Sequence, residues 1–142
     1  MTVKESLLIT LPIMISVVTF GQSTEKHPID VRSEACHDKA ENQTTMGMTK
    51  CEQIAAEEWD AELNKVYKML MGILGKGEKE KLKASQLKWI EYRDRELDFS
   101  GTLYKNLQGT MWITAAAGRR RELIRERVLA LKDYYDTIST DH

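Results

Sequence analysis

Proline is nearly absent from the sequence, which contains 2 prolines among 142 residues. A collagen-like chain is therefore excluded. With 42% hydrophobic and 30% charged residues, the composition is that of a globular helical protein rather than a disordered one. The length is that of one small domain, so a second folded domain is not expected.

An excess of charge of either sign is also missing. The chain has 21 Lys and Arg residues against 22 Asp and Glu residues, which leaves a formal net charge of -1. Binding to nucleic acid or to an anionic membrane surface depends on an excess of positive charge. Neither partner is predicted.

Groupings of residues that support catalysis or metal binding are missing as well. His27, His37 and His142 all lie outside the predicted helical core, where nothing would hold them beside a nucleophile. The chain has no His-Glu-x-x-His, Cys-x-x-Cys or Glu-x-x-His pattern, and no glycine-rich loop that follows a strand. We predict no catalytic residue, no metal and no cofactor, and a protein that is not an enzyme.

Residues 1–21 have the pattern of a secretory signal peptide. Lys4 precedes an apolar run over residues 7–20, and small residues stand before a possible cleavage site at Gln22. The run is short for a bilayer core of about 30 Å, so no stable membrane insertion is expected after the signal is removed. A retained anchor is the alternative. The predicted location is the periplasm or the external medium.

Export affects the interpretation of Cys36 and Cys51, because thiols pair in oxidising compartments and stay reduced in the cytosol. A bond between them would close a loop of about 15 residues and contribute roughly 3 kcal/mol in the chain-entropy model. A metal site with His37 and a pair of inert thiols are the alternatives. The preferred disulfide would tie down residues 22–44, which we expect to be an extended polar arm without a core of its own.

Residues 45–138 are predicted to form a helical domain. Its clearest helix is capped by Thr44 or Thr45 and ends near Ile73, with apolar residues three and four positions apart over about seven turns. No alternating pattern of useful length indicates a strand.

Glycines at positions 72, 75 and 77 end this helix and predict a tight turn. Because the link is short, a second helix over about 78–101 should lie antiparallel beside the first. A third helix is expected over about 111–135. The predicted fold class is all-α, a small antiparallel bundle of about three helices built on a long helical hairpin, with an N-terminal arm tied by a disulfide.

Polar and aromatic residues recur at helical spacing in the first two helices. Gln86, Trp89 and Arg93 lie three and four residues apart on one face, so they could meet Asn64 and Tyr67 across the hairpin. These residues would either form a mutually satisfied network that fixes the register of the helices or line a groove for a partner. The structural interpretation is preferred.

Basic residues mark two candidate contact surfaces. Lys76 lies within the glycine turn, and Arg119, Arg120 and Arg121 lie early in the third helix. Arginines in consecutive positions face several directions, so an ion-paired or solvated surface is preferred over a phosphate or polyanion site. As exposed basic residues, these four are the candidate contacts with an acidic partner.

The same segments carry a pattern typical of one protein family. Its elements are Met48-x-x-Cys51, Leu63-Asn64-x-x-Tyr67, Gln86-x-x-Trp89-x-x-x-Arg93-Asp94 and Arg127-x-x-x-Leu131. This combination resembles the N-terminal domain of the LprI-like lysozyme-inhibitor family over residues 36–131. The resemblance implies a small exported helical domain with disulfides, located in the cell envelope.

The resemblance also implies a function. The first hypothesis is an exported binding protein that inhibits a lysozyme, and the alternative is a periplasmic helical interaction module whose partner is another envelope protein. One departure concerns a second cysteine pair common in the family, where this chain has Leu97 and the residues around 117–120. We expect the third helix to be held by packing alone.

Overall fold

The structure, a computed structural model, describes residues 26–140 of the chain. Its helices are α1 (Pro28–His37), α2 (Thr45–Ile73), α3 (Lys76–Lys105) and α4 (Met111–Thr140), with a 3-10 turn at Ala40–Asn42. All regular elements between residues 26 and 140 are helical, so the all-α class is confirmed, with four helices rather than about three. The predicted signal peptide, residues 1–21, lies outside the described residues, as does His142.

Helix α2 begins at the cap that the sequence predicts. The Thr44 backbone is extended, and its Oγ1 accepts a hydrogen bond from the Gly47 N–H at 3.0 Å. The buried residues of this helix follow the predicted spacing of three and four positions: Cys51, Ala55, Ala56, Trp59, Leu63, Val66 and Leu70. The apolar face is therefore continuous along α2.

The turn between α2 and α3 is shorter than expected, because only Leu74 and Gly75 lie outside the helices. Gly72 belongs to α2 and Gly77 to α3. The Glu78 carboxylate accepts a hydrogen bond from the Gly75 N–H at 2.8 Å, which satisfies a free backbone donor at the start of α3. Helix α3 consequently begins at Lys76, two residues before the predicted start.

Helix α4 packs along α2 and runs in the same direction. Thr45 Oγ1 lies 3.0 Å from Thr110 Oγ1, and one turn further along, Thr49 Oγ1 lies 2.8 Å from Thr114 Oγ1. Both residue numbers rise together, as in a parallel pair. Helix α3, which lies between α2 and α4 in the sequence, runs antiparallel to both. It packs mainly on α4.

The core lies between α2 and α4, with α1 at its side. One apolar cluster joins the three helices, consisting of Ile29, Ala56, Trp59, Leu63, Val66, Leu70, Ile124, Val128 and Leu131. Helix α3 adds only half-buried residues such as Leu82 and Trp89, and its one buried residue is Ser100. The hairpin partner α3 is thus largely an outer layer.

The N-terminal arm is not extended over Pro28–His37, where the structure shows α1. Ile29 is 4% exposed and belongs to the core that α2 and α4 form, so the expectation of an extended arm was wrong over these residues. Pro28 in the first turn and Asp30 near the helix N-terminus both favour this helix, and the weak apolar periodicity concealed it. His27 caps α1 through Nδ1, and its ring centroid lies 4.4 Å from that of Trp59.

The predicted disulfide between Cys36 and Cys51 is present, with the Cα atoms 5.8 Å apart. Asn42 supports it from the 3-10 turn, since its Nδ2 donates to the Cys36 carbonyl at 2.8 Å and lies 3.4 Å from Cys51 Sγ. The 3-10 turn in turn packs against the first turn of α2 at Gly47. No helix between residues 26 and 140 has the length and apolar character needed to cross a membrane.

Substituting Gly47 with alanine should destabilise the protein. A Cβ atom at this position would lie 2.5 Å from Asn42 Cα and 2.8 Å from the Asn42 carbonyl oxygen, so the backbone of the 3-10 turn must move. We expect Gly47→Ala to lower the free energy of unfolding by about 1–3 kcal/mol, measured by urea denaturation.

Gly72→Ala is the matched control within the same helix. No atom lies within 4 Å of a Cβ at Gly72, and alanine is favoured over glycine in a helix by up to about 1 kcal/mol. The control should therefore be neutral or stabilising. Equal effects of the two substitutions would contradict the close packing at Gly47.

Candidate functional site

Three motif residues of the predicted network line one groove between α2 and α3. Its volume is about 410 Å³, and its lining includes Asn64 and Tyr67 on α2 and Lys83 and Gln86 on α3. Asn64 is exposed, and its Nδ2 donates to the Asp60 carbonyl of its own helix at 3.0 Å. Within the described residues no side-chain hydrogen bond crosses this groove, so the α2 and α3 motif residues face each other without bonding.

The other three motif residues, Trp89, Arg93 and Asp94, lie further along α3, where the Trp89 ring meets a side chain of α4. Trp89 packs against the apolar cluster, and the Arg93 guanidinium carbon lies 5.4 Å from its ring centroid. Arg93 also forms an ion pair with Asp94 at 2.7 Å. The guanidinium of Arg127, from α4, approaches the same ring at 5.9 Å. Two cations therefore contact one indole ring.

Arg127 of α4 forms hydrogen bonds to α3 that the predicted network of two helices did not include. Its Nε donates to Gln86 Oε1 at 3.0 Å, and its Nη2 donates to Ser85 Oγ at 3.1 Å. Burial lowers the pKa of Arg127 from its ordinary value, although an arginine stays protonated in a protein. The sequence identified Arg127 only as part of the closing motif element. Its partners are 41 and 42 residues away in the sequence and meet Arg127 because α4 packs against α3.

Two of the four candidate basic contacts are engaged within the molecule. Arg119 forms an ion pair with Glu96 on α3 at 2.8 Å, and this hydrogen bond raises the pKa of Arg119. Arg121 pairs with Glu52 on α2 at 2.6 Å and with Glu122 at 3.1 Å. These contacts agree with the ion-paired interpretation of the arginine cluster.

Lys76 and Arg120 are placed differently from the other two. Both are exposed, and among residues 26–140 neither side chain has an ion-pair or hydrogen-bond partner. Arg120 borders a cavity of about 550 Å³ whose lining includes Ala116 and Ala117. Lys76 is the first residue of α3, directly after the two-residue turn. Lys76 and Arg120 are therefore available to a partner.

A chain of charged contacts joins α1, α2 and α4 on the other side of the core. It runs from Asp30 to Arg125 at 3.0 Å, to Glu122 at 3.3 Å, to Arg121 at 3.1 Å and to Glu52 at 2.6 Å. His37 Nε2 lies 3.0 Å from the other Glu52 oxygen. Because these residues are up to 95 positions apart, no pattern in the sequence indicates that they converge.

The histidine and cysteine positions remove the alternative of a metal site formed with His37. Both cysteines are oxidised, and His37 faces the Glu52 carboxylate. In the part of the chain that the structure describes, no group of three or more His, Cys, Asp or Glu residues is arranged to hold a metal ion.

Leu97 on α3 lies near the start of α4, at the positions where the resemblance implied a second cysteine pair. Leu97 shares one cavity wall with Ala116 and Ala117. The Glu96 to Arg119 ion pair lies beside them and joins α3 to α4. Helix α4 is therefore held by ion pairs and hydrogen bonds in addition to packing, which corrects the expectation of packing alone.

Removing the charge of Glu52 should destabilise the fold. Its carboxylate is only 13% exposed and accepts the short hydrogen bond from Arg121, so Glu52→Gln leaves the half-buried guanidinium with Glu122, at 3.1 Å and more exposed, as its remaining counter-charge. We expect a loss of about 1–3 kcal/mol in the free energy of unfolding, measured by urea denaturation.

Glu57→Gln is the control, because Glu57 is an exposed acid on the same helix. It should change the free energy of unfolding by no more than about 0.5 kcal/mol. Indistinguishable unfolding curves would show that the charged chain does not stabilise α2 against α4.

Comparisons with known proteins agree with the architecture and the motif. The chain is similar to a structurally characterised protein from Burkholderia thailandensis, of uncharacterized function, with a TM-score of 0.75 and 29% sequence identity. The alignment covers 81% of this chain but 57% of that protein, which is longer. Comparison with curated proteins finds no match.

The family model described as "Lysozyme inhibitor LprI" matches residues 36–131, from the first disulfide cysteine to the last core leucine of α4. The chain belongs to the LprI lysozyme inhibitor family.

Proposed function

We propose that this protein is exported and inhibits a lysozyme. The observation that supports this most directly is the family match, which extends over residues 36–131 and includes both disulfide cysteines and the core residues of α2 and α4. The match alone does not indicate which surface would contact the enzyme. The charges and shape of the exposed residues supply that part of the proposal.

The turn between α2 and α3 is the surface best suited to enter an enzyme cleft. A lysozyme cleft contains two catalytic carboxylates, so a protruding cation is electrostatically complementary to it. Lys76 is exposed at the turn, and the glycines at 75 and 77 have no side chains that would keep the backbone at a distance. The Glu78 hydrogen bond to the Gly75 N–H fixes the turn before binding, which lowers the entropy cost of association.

The arginine cluster is less suitable for this role. Arg119 and Arg121 would have to give up intramolecular carboxylates before contacting an enzyme. Arg120 is free of such partners among the described residues, but it borders a concave cavity rather than a protrusion. We therefore assign the cleft contact to Lys76.

Export is supported by two features of different kinds. The N-terminal segment has the charge and apolar pattern of a cleavable signal, and the described domain contains a disulfide. Structural disulfides persist in oxidising compartments such as the periplasm. The proposed location is the periplasm or the medium.

Inhibition can be measured with the purified protein in a bacterial-wall clearing assay. Lysozymes of several classes should be tested, and at least one should be inhibited at micromolar protein. Lys76→Glu reverses the charge at the proposed contact and should weaken inhibition at least about tenfold.

Lys39→Glu is the control, because Lys39 is also exposed but lies near the opposite end of α2. Inhibition that is equally sensitive to both substitutions would contradict the role of Lys76. If no lysozyme class is inhibited, the proposed function is wrong, and the alternative of another envelope partner would be tested by capture from envelope extracts.

Export makes a separate prediction. When the full chain is produced in a bacterium, we expect it in the periplasmic fraction or the medium, oxidised at Cys36 and Cys51 and starting at Gln22. N-terminal sequencing and thiol labelling without reductant would test both points. A protein that stays in the membrane fraction with residues 1–21 attached would instead support the retained anchor.

A further inference from the structure

We propose that Arg127, together with Ser85, Gln86 and Trp89, forms a binding site for a carboxylate group of a partner protein. The proposal starts from an exception among the partly buried arginines of α4. Arg119, Arg121 and Arg125 each have a carboxylate oxygen within 3.0 Å. Arg127 is half-buried, yet among residues 26–140 both of its hydrogen-bond partners are neutral.

The exception matters because a charge that is removed from water needs compensation. Hydrogen bonds to an amide and a hydroxyl oxygen orient the Arg127 guanidinium but do not neutralise it. An acidic residue at position 85 or 86 would do so from within the molecule. The chain instead has Ser85 and Gln86 there, so the positive charge remains available.

The surroundings of Trp89 add to the positive potential rather than cancel it. Arg93 approaches the same ring as Arg127, and the only carboxylate paired with either of them in the described part is Asp94, which is 61% exposed. Two cations against one solvated anion leave a local excess of positive charge. An anionic group would be attracted to this face of α3 and α4.

The geometry of the guanidinium favours a carboxylate in particular. Arg127 uses Nε and Nη2 on one edge for Gln86 and Ser85. The edge formed by Nη1 and Nη2 can still donate two parallel hydrogen bonds, which match the two oxygens of a carboxylate. The adjacent indole supplies an apolar wall, and tryptophan and arginine are the residue types enriched at the centres of protein interfaces.

The site lies about ten residues along α3 from the turn at Lys76, and it does not depend on the identity of the partner. Its test therefore uses small probes and no enzyme. The probe is N-acetyl-glutamate amide, which presents a single side-chain carboxylate, and the matched control compound is N-acetyl-glutamine amide. Binding is followed by NMR through the indole N–H signal of Trp89, assigned with Trp89→Phe, at constant ionic strength.

We expect a saturable shift with the glutamate compound and none with the glutamine compound. Gln86→Glu is the decisive variant, because it places a carboxylate on Arg127 from within and preserves the hydrogen bond that supports α3 against α4. It should weaken probe binding at least about tenfold while the unfolding midpoint is maintained. Arg120→Gln removes another exposed arginine of the same helix and should leave binding unchanged.

Several results would overturn the proposal. The first is an equal shift of the Trp89 signal with the glutamate and glutamine compounds. The second is a Gln86→Glu variant that binds the glutamate compound as well as the unmodified protein does. The third is an Arg120→Gln variant that loses binding to the same extent as Gln86→Glu. Saturable binding of inorganic phosphate without binding of the glutamate compound would also overturn it, since the site would then select another anion. A failure of lysozyme inhibition combined with Arg127-dependent probe binding would reject the proposed function and retain this site.

Discussion

The packing of α2 against α4 is the interaction on which the rest of the structure depends. Trp59 lies at its centre with no exposed surface, and the apolar cluster around it draws on both helices along most of their length. Burying one large apolar side chain contributes about 1.5–3 kcal/mol, so this interface supplies most of the favourable burial. Helices α1 and α3 each contribute only one fully buried residue; α1 packs mainly on α2, and α3 packs mainly on α4.

Arginines of α4 connect it to every other helix. Arg125 reaches α1, Arg121 reaches α2, and Arg119 and Arg127 reach α3. Three of these contacts end on carboxylates, and the fourth ends on neutral groups. The first three are internally neutralised links between helices. The fourth leaves a charge for another molecule, which is why structural and binding roles can coexist on one helix.

Different contacts stabilise the region around the disulfide and the region where the family pattern implies a second cysteine pair. Near Cys36 and Cys51, a covalent bond, Asn42 and the close approach at Gly47 hold α1 and the 3-10 turn on α2. Where the family pattern implies another bond, Leu97 faces small residues of α4, and an ion pair lies alongside. Small side chains there leave an open cavity between α2 and α3 above α4.

The sequence by itself determined the helical class, the course of α2 with its Thr44 cap, and the cysteine pairing, because these depend on local spacing and on the only two thiols available. It did not reveal α1, whose apolar face amounts to little more than Ile29. Tertiary structure alone decided that Arg127 joins Gln86 and that Arg121 joins Glu52. Contacts between distant charged residues depend on which helices pack together, and the spacing of apolar residues within one helix does not show which partner its buried face meets.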